Sequence, residues 1–383
     1  MKKARLLPIY IANLFLSLHY ATLLYINSSY LSLFVSQKML GFLYVIAAVI
    51  TILLFINISR ILRSISVRKI FFTFAFLDLI ATLGLGTFKG TYIVPFLFII
   101  FDVCALGLLF CLDIFLESGS EDERTGRIRS SYLTVTNVAV LSAPLFAGFV
   151  IGPNDYWKAY IISSVFLILM IAISLITLTE KIHPSRHKGT MVENMKLFWK
   201  DAAVRKIFGA NYLLQFFYSW MVVYTPIYLH RYLGFEWSTI GVLFTIMLAP
   251  FVLFEIPVGR IADKILGEKE FLIAGFIIII IFTAFIPYIP QEQLLIWAFV
   301  LFMTRVGASF VEVTTESYFF KHVNSKQSGF IGLFRLAEPL AFVTGPLAAI
   351  VALTFIPFQY IFVVLGIFML LGLRFAFALK DTK

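Results

Sequence analysis

Long apolar runs follow one another from end to end of the chain, broken only by short polar connections. Twelve of them approach the roughly 20 residues that a helix needs to cross a bilayer. They fall at about 6–30, 39–58, 70–88, 91–117, 128–151, 157–179, 204–229, 236–258, 270–289, 293–320, 328–353 and 355–378. Within each run the apolar positions are continuous and do not alternate. A membrane β-barrel requires alternation, and lipid offers backbone groups no hydrogen-bond partner, so each run predicts a transmembrane α-helix. The first run, behind Lys2, Lys3 and Arg5, has the outline of a leader peptide, but no small-x-small cleavage site follows it cleanly. It is expected to remain as the first span.

Composition agrees with this all-α integral membrane reading. Of 383 residues, 61% are hydrophobic and 14% are charged, where a soluble domain carries about 25% charged residues. The net charge of +10 would suggest nucleic acid as the partner of a soluble protein, but its distribution argues otherwise. With both termini in the cytoplasm, 24 Lys and Arg fall in cytoplasmic segments and four, Lys38, Lys89, Lys158 and Arg231, on the other side. That bias sets the orientation of a multi-pass protein of the cytoplasmic (plasma) membrane and places basic loops against anionic lipid. Nucleic acid is not an expected partner. Cys104 and Cys111 are seven apart in one apolar run, about 10 Å along a helix. That is too far for a disulfide, so they read as small apolar fillers. The five histidines show no ligand spacing, so no metal is expected, and no cofactor motif is present.

The longest connection, EKIHPSRHKGTMVENMKLFWKDAA at 180–203, lies at the midpoint. Its polar, basic, Pro- and Gly-containing sequence reads as a cytoplasmic linker between two six-helix bundles, 1–179 and 204–383. MVENMKLFWK within it predicts a short amphipathic helix on the membrane surface. The two halves also repeat. FDVCALGLLFCLDIFLESGSEDERTG and TRVGASFVEVTTESYFFKHVNSKQSG align at an offset of 203, pairing Asp102 with Arg305 and Asp113 with Glu316. Each stretch runs into a span with a mid-span proline, Pro144 and Pro346. Parallel repeats of this kind build one large class of transporters.

The connection after span eight, PVGRIADKILGEKE, carries six charges of mixed sign between Arg260 and Glu270. It resembles the signature loop of the major facilitator superfamily, in which glycine, aspartate, a basic residue, glycine and a basic residue follow at fixed spacing. Here those are Gly259, Asp263, Lys264, Gly267 and Lys269, with one extra residue before Gly267. The resemblance implies a loop between the second and third helices of the C-terminal half that latches the cytoplasmic side, its aspartate reaching a helix N-terminus near Ser328. The N-terminal copy, NISRILRSISVRK, has Arg63 in place of the aspartate and Ser59 and Val67 in place of the glycines. If the latch matters, the C-terminal half carries it.

Ionisable groups at membrane depth cost several kcal/mol unless paired or hydrated, and each is a functional candidate. Asp78, Asp102, Arg305, Glu312, Arg335 and Glu338 lie near mid-bilayer; Asp113, Glu255 and Glu316 lie nearer the cytoplasmic ends. Spacings of seven and four put Arg305, Glu312 and Glu316 on one helical face, with Ser309, and Asp102 and Asp113 share a face of span four. The family resemblance implies that spans one, four, seven and ten line a central cavity. Asp102 and Arg305 would then face each other or a shared substrate, or form a purely structural ion pair. Span one adds Asn13, Ser17 and His19; span seven adds Asn211, Tyr212, Gln215, Tyr218 and Tyr224, the tyrosines reading equally as membrane-interface anchors or as cavity lining. A lone His such as His19 is more often a satisfied packing residue than a proton carrier. Arg335 and Glu338, three apart, are expected to pair within their own helix, which Pro339 should bend. Asp78 has no partner readable from the sequence.

The function these features imply is secondary active transport of a small solute by alternating access, coupled to protons, with drug or solute efflux as one direction. Asp102, Arg305, Glu312, Asp78, His19, Asn211 and Gln215 are the substrate and coupling candidates. Acidic and aromatic lining would suit a hydrophobic cation, whereas Arg305 argues for an anionic group. The family works mostly as monomers, and a monomer is expected here. The chain has no G-x-x-x-x-G-K-[ST] loop for ATP. A membrane enzyme would show a compact catalytic cluster near an interface, and His183 and His187 in the linker have no nearby carboxylate. A transporter-like fold serving as sensor or scaffold is the remaining alternative.

Overall fold

The computed structural model describes residues 6–119, 125–152, 155–178, 191–261, 267–322 and 328–379. Those residues are almost wholly helical and contain no strand. The long helices are α1 (Leu6–Leu24), α3 (Gln37–Ser64), α4 (Val67–Thr87), α5 (Ile93–Gly119), α6 (Thr125–Val150) and α7 (Tyr156–Thr177) in the first half. In the second they are α9 (Ala202–Ile227), α10 (Trp237–Ile261), α11 (Glu268–Phe285), α12 (Leu294–His322), α14 (Ala337–Phe355) and α15 (Ile361–Ala378). Short helices α2 (Asn27–Leu31), α8 (Met191–Lys200) and α13 (Ser328–Arg335) complete the set. Each expected run therefore has its helix. Among the described residues, ten segments are long and apolar enough to cross a membrane. α6 keeps only a shorter apolar segment, Thr134–Val150, and α9 carries Asn211, Gln215, Tyr212 and Tyr218 along its length.

Two boundaries differ from the sequence expectation. The first span stops at Leu24 and the chain turns before α2; Asn27 there accepts from the Tyr160 hydroxyl at 2.8 Å, and Tyr30 donates to Leu85 O at 2.8 Å. The eleventh span breaks into α13 and α14 at Leu336. Pro339 supplies no N–H for the carbonyl of Arg335, and its ring crowds that carbonyl.

The described chain forms two compact units. One holds residues up to Ser185 together with Leu229–Thr245; the other holds Arg186–Tyr228 and Ile246 onward. In the first, α1 packs on α5, α6 and α7, and α4 packs on α5 and α7. In the second, α9 packs on α12, α14 and α15, and α11 packs on α12 and α15. The second list is the first with α1, α4, α5, α6 and α7 replaced by α9, α11, α12, α14 and α15. The weak sequence repeat thus corresponds to a repeated packing scheme, and Pro144 and Pro346 lie inside the equivalent helices α6 and α14.

The linker helix forms as expected. Phe198 is buried against Phe208 and Phe330, at 5.5 and 5.3 Å between ring centroids. Met195, Leu197 and Trp199 stay exposed. Asp201 caps α9, accepting from the backbone N–H of Ala203 and Val204 at 2.9 and 3.1 Å, the usual role of Asp at this position.

Candidate functional site

In the first unit, α1, α4 and α7 bring together a fully buried polar group. His19 Nε2 lies 3.1 Å from Asp78 Oδ2, and both side chains have no exposed surface. The other ring nitrogen, Nδ1, faces the carbonyl oxygen of Ser163 at 3.1 Å and its hydroxyl at 2.7 Å. That hydroxyl donates its single hydrogen to His19 O at 2.9 Å. A carbonyl can only accept and the hydroxyl hydrogen is already committed, so Nδ1 carries a proton and donates. Nε2 is left to face the Asp78 carboxyl. The other carboxyl oxygen accepts from Thr82 at 3.2 Å, and Phe101 meets the imidazole edge-on at 5.6 Å.

Asp78 thus has a partner, and His19 is not alone. Helical spacing within one span carries no signal of this contact, nor of Ser163. Asp102 lies half-buried on α5 beside Phe101, while Asp113 on the same helix is exposed. Asn13 donates to Thr136 Oγ1 at 2.8 Å and Tyr132 O at 3.2 Å, tying α1 to α6.

In the second unit, α9 and α12 build the other group. Arg305 is 1% exposed near the middle of α12. Its guanidinium stands over the rings of Phe217 and Tyr218, at 5.1 and 5.2 Å. Among the described residues, Nε and Nη1 have no hydrogen-bond partner. One turn-pair along the same face, the Glu312 carboxylate accepts from the Tyr218 hydroxyl at 2.7 Å. Tyr218 is therefore shared: its ring lies under the cation and its hydroxyl holds the anion. The sequence offered Tyr218 only as one of several polar residues of the seventh span, and nothing in it marked this double contact. Asn211 is buried and Gln215 half-buried. Tyr212 and the Thr344 hydroxyl of α14 are 2.5 Å apart.

Two other sequence expectations resolve differently, and the loop is described only in part. Arg335 reaches across to Glu316 on α12 in a two-pronged contact of 2.5 and 3.1 Å, which takes the place of a purely intrahelical partner. Ser309 is fully buried and donates to Val306 O, so it does not present an open surface. Asp263 and Lys264 of the loop, and the side chain of Glu255, lie outside the described residues. Gly259 is within α10, and Lys269 is in the first turn of α11. Gly267 has φ of +95° and caps α11, a conformation that side-chain-bearing residues rarely adopt. Beside it, buried Glu268 pairs with Lys321 of α12 at 2.5 Å, a contact unmarked by the sequence.

α12 is held in place by a glycine contact with α11. A Cβ at Gly307 would lie 2.6 Å from Gly275 O and 2.9 Å from Ile279 N. The backbones touch two residues from Arg305, which fixes the depth of the cation. Among the described residues, no group of three or more metal-ligating side chains occurs.

A sequence profile of the Major Facilitator Superfamily matches residues 6–329 and, again, 223–383. The chain belongs to the Major Facilitator Superfamily. As a superfamily member it is a multi-pass membrane transport protein. No curated protein matches it in sequence. Solved structures share its fold. The nucleoside transporter NupG superposes with a TM-score of 0.76 at 12% identity, over 97% of this chain and 99% of that one. A bacterial homologue of the human lysosomal transporter Spinster, inward-facing and unoccupied, gives 0.78 at 12% identity, over 98% and 96%.

Proposed function

We propose that this superfamily member is a secondary active transporter that moves a small solute across the cytoplasmic membrane by alternating access. It works as a monomer with both termini in the cytoplasm. The observation that carries this reading is the Arg305–Tyr218–Glu312 group. Charges at membrane depth persist where they serve a pathway, and here a cation and a carboxylate flank one aromatic ring. Coupling is to protons: Glu312, Asp102 and the His19–Asp78 pair are the groups able to gain or lose one. Asp102 holds in the first half the repeat position that Arg305 holds in the second. Export of a solute or drug in exchange for protons is one direction in which such a cycle runs. The charged loop from Gly259 to Lys269 acts as the cytoplasmic latch.

The test needs no substrate. Cys104 and Cys111, both buried, are replaced by Ala, and Gln215→Cys places a thiol on the Asn211–Tyr218 face of α9. A membrane-impermeant thiol reagent is then applied from each side separately. Labelling from both sides is the expected result. Labelling from one side only would favour a sensor or scaffold sharing the fold; no labelling from either would remove this face of α9 from the site. For coupling, Asp102→Asn should abolish proton-driven flux. If flux remains fully proton-driven, Asp102 plays no part.

A further inference from the structure

We propose that Arg305 is the recognition point for a carboxylate on the transported solute, and that Glu312 takes the compensating positive charge. The proposal rests on the transport reading above and adds the substrate class. Its basis is a guanidinium that is buried, charged and short of partners. Buried polar groups are almost always hydrogen-bonded, and an exception asks for a reason. Arg305 has no ion pair among the described residues, and Nε and Nη1 make no hydrogen bond. Those two nitrogens belong to different edges of the guanidinium. Neither of its two-pronged donor forks is therefore filled. The cation lies over the rings of Phe217 and Tyr218, which offset part of the burial cost, but the rings supply no acceptor. What is missing is a planar, two-oxygen acceptor in the guanidinium plane, which is the shape of a carboxylate.

The neighbouring carboxylate does not fill that role. Glu312 is seven residues along the helix, about 10 Å of rise, and its carboxylate is held by the Tyr218 hydroxyl. Arg305 and ionised Glu312 together are neutral; of the other charged groups near Glu312, Glu316 is paired with Arg335, and Glu338 adds a further negative charge. One carboxylate added leaves a net negative charge. A phosphate, at about −1.5 to −2, would leave more. The added charge is offset if Glu312 accepts a proton, or if the solute brings its own cation to Glu312. The first describes a carboxylate carried with a proton, the second a zwitterion whose ammonium sits beyond the Tyr218 ring. Both use the same anion site.

Purified protein is tested by thermal unfolding with acetate, lactate, benzoate, phenylacetate, phenylalanine and glycyl-phenylalanine, each beside its amide. Without ligand, Arg305→Met should unfold at or above the wild-type temperature, because an unpartnered buried charge is removed. At least one carboxylate should raise the wild-type midpoint while its amide does not. Arg305→Met and Arg305→Lys should weaken that binding at least about 30-fold, or ~2 kcal/mol at 1.4 kcal/mol per decade. Loss of stability in ligand-free Arg305→Met would make the residue structural and overturn the proposal. So would amides acting as well as carboxylates, or no carboxylate shifting wild type. In Glu312→Gln, loss of zwitterion binding alone identifies an ammonium partner, and loss of the pH dependence of simple carboxylate binding identifies a proton; either supports the site. A carboxylate that binds through Arg305 but does not cross the membrane of proteoliposomes sinks the transport reading and leaves the anion site standing.

Discussion

Asp78→Ala should lose about 3–5 kcal/mol of stability, the range seen when one partner of a buried ionisable pair is removed. The geometry gives the reason. His19 and Asp78 have no exposed surface and meet at 3.1 Å. With Nδ1 committed as donor to Ser163, only Nε2 is left to face the vacancy, and Thr82 loses its acceptor at the same time. Three helices, α1, α4 and α7, meet at this point. Asp78→Asn should cost far less, on the order of 1 kcal/mol, because its amide can donate to a neutral Nε2 and its carbonyl can accept from Thr82. The measurement is thermal unfolding in detergent for Asp78→Ala, Asp78→Asn, His19→Phe and the double variant. A coupling energy near zero between positions 19 and 78 would show that the contact does not hold the first unit together.

Gly307→Leu should be damaging by a different route. Any Cβ at 307 meets backbone atoms of Gly275 and Ile279 under 3 Å away, and backbone cannot rotate aside. α11 and α12 must part. Overpacking typically costs about 1–3 kcal/mol, and here the displacement falls two residues from Arg305. Misplacing a binding group by about 1 Å can cost on the order of 100-fold in rate, so transport should fall by more than stability does. Gly307→Ala should show the same pattern, weakened. The check is flux per folded molecule, with the folded fraction measured by size-exclusion chromatography. Flux that tracks the folded fraction would mean that the Gly275–Gly307 contact supports the fold but does not position the site.

The sequence by itself determined the spans, and the physical reason is the solvent. Lipid cannot satisfy a backbone N–H or C=O, so every long apolar run must become a helix, and each of the twelve runs did. Charge set the expected orientation through the loops, and the offset that pairs Asp102 with Arg305 revealed a repeat that the packing of the two units reproduces. The face shared by Arg305 and Glu312 was also legible, because helical spacing is local. Across helices the sequence fell silent. In a membrane, lipid tails are as apolar as leucine, so helix faces that meet protein and faces that meet lipid look alike. Nothing in spans one, three and six marked His19, Asp78 and Ser163 as neighbours. Nor did any pattern say that Tyr218 would lie under one charge and hold the other, or that Arg335 would turn to Glu316 once Pro339 broke its helix. Those contacts are decided by how helices rotate and settle against one another, through small residues such as Gly275 and Gly307 and through polar groups that must find a partner away from water. Only the tertiary structure fixes that choice.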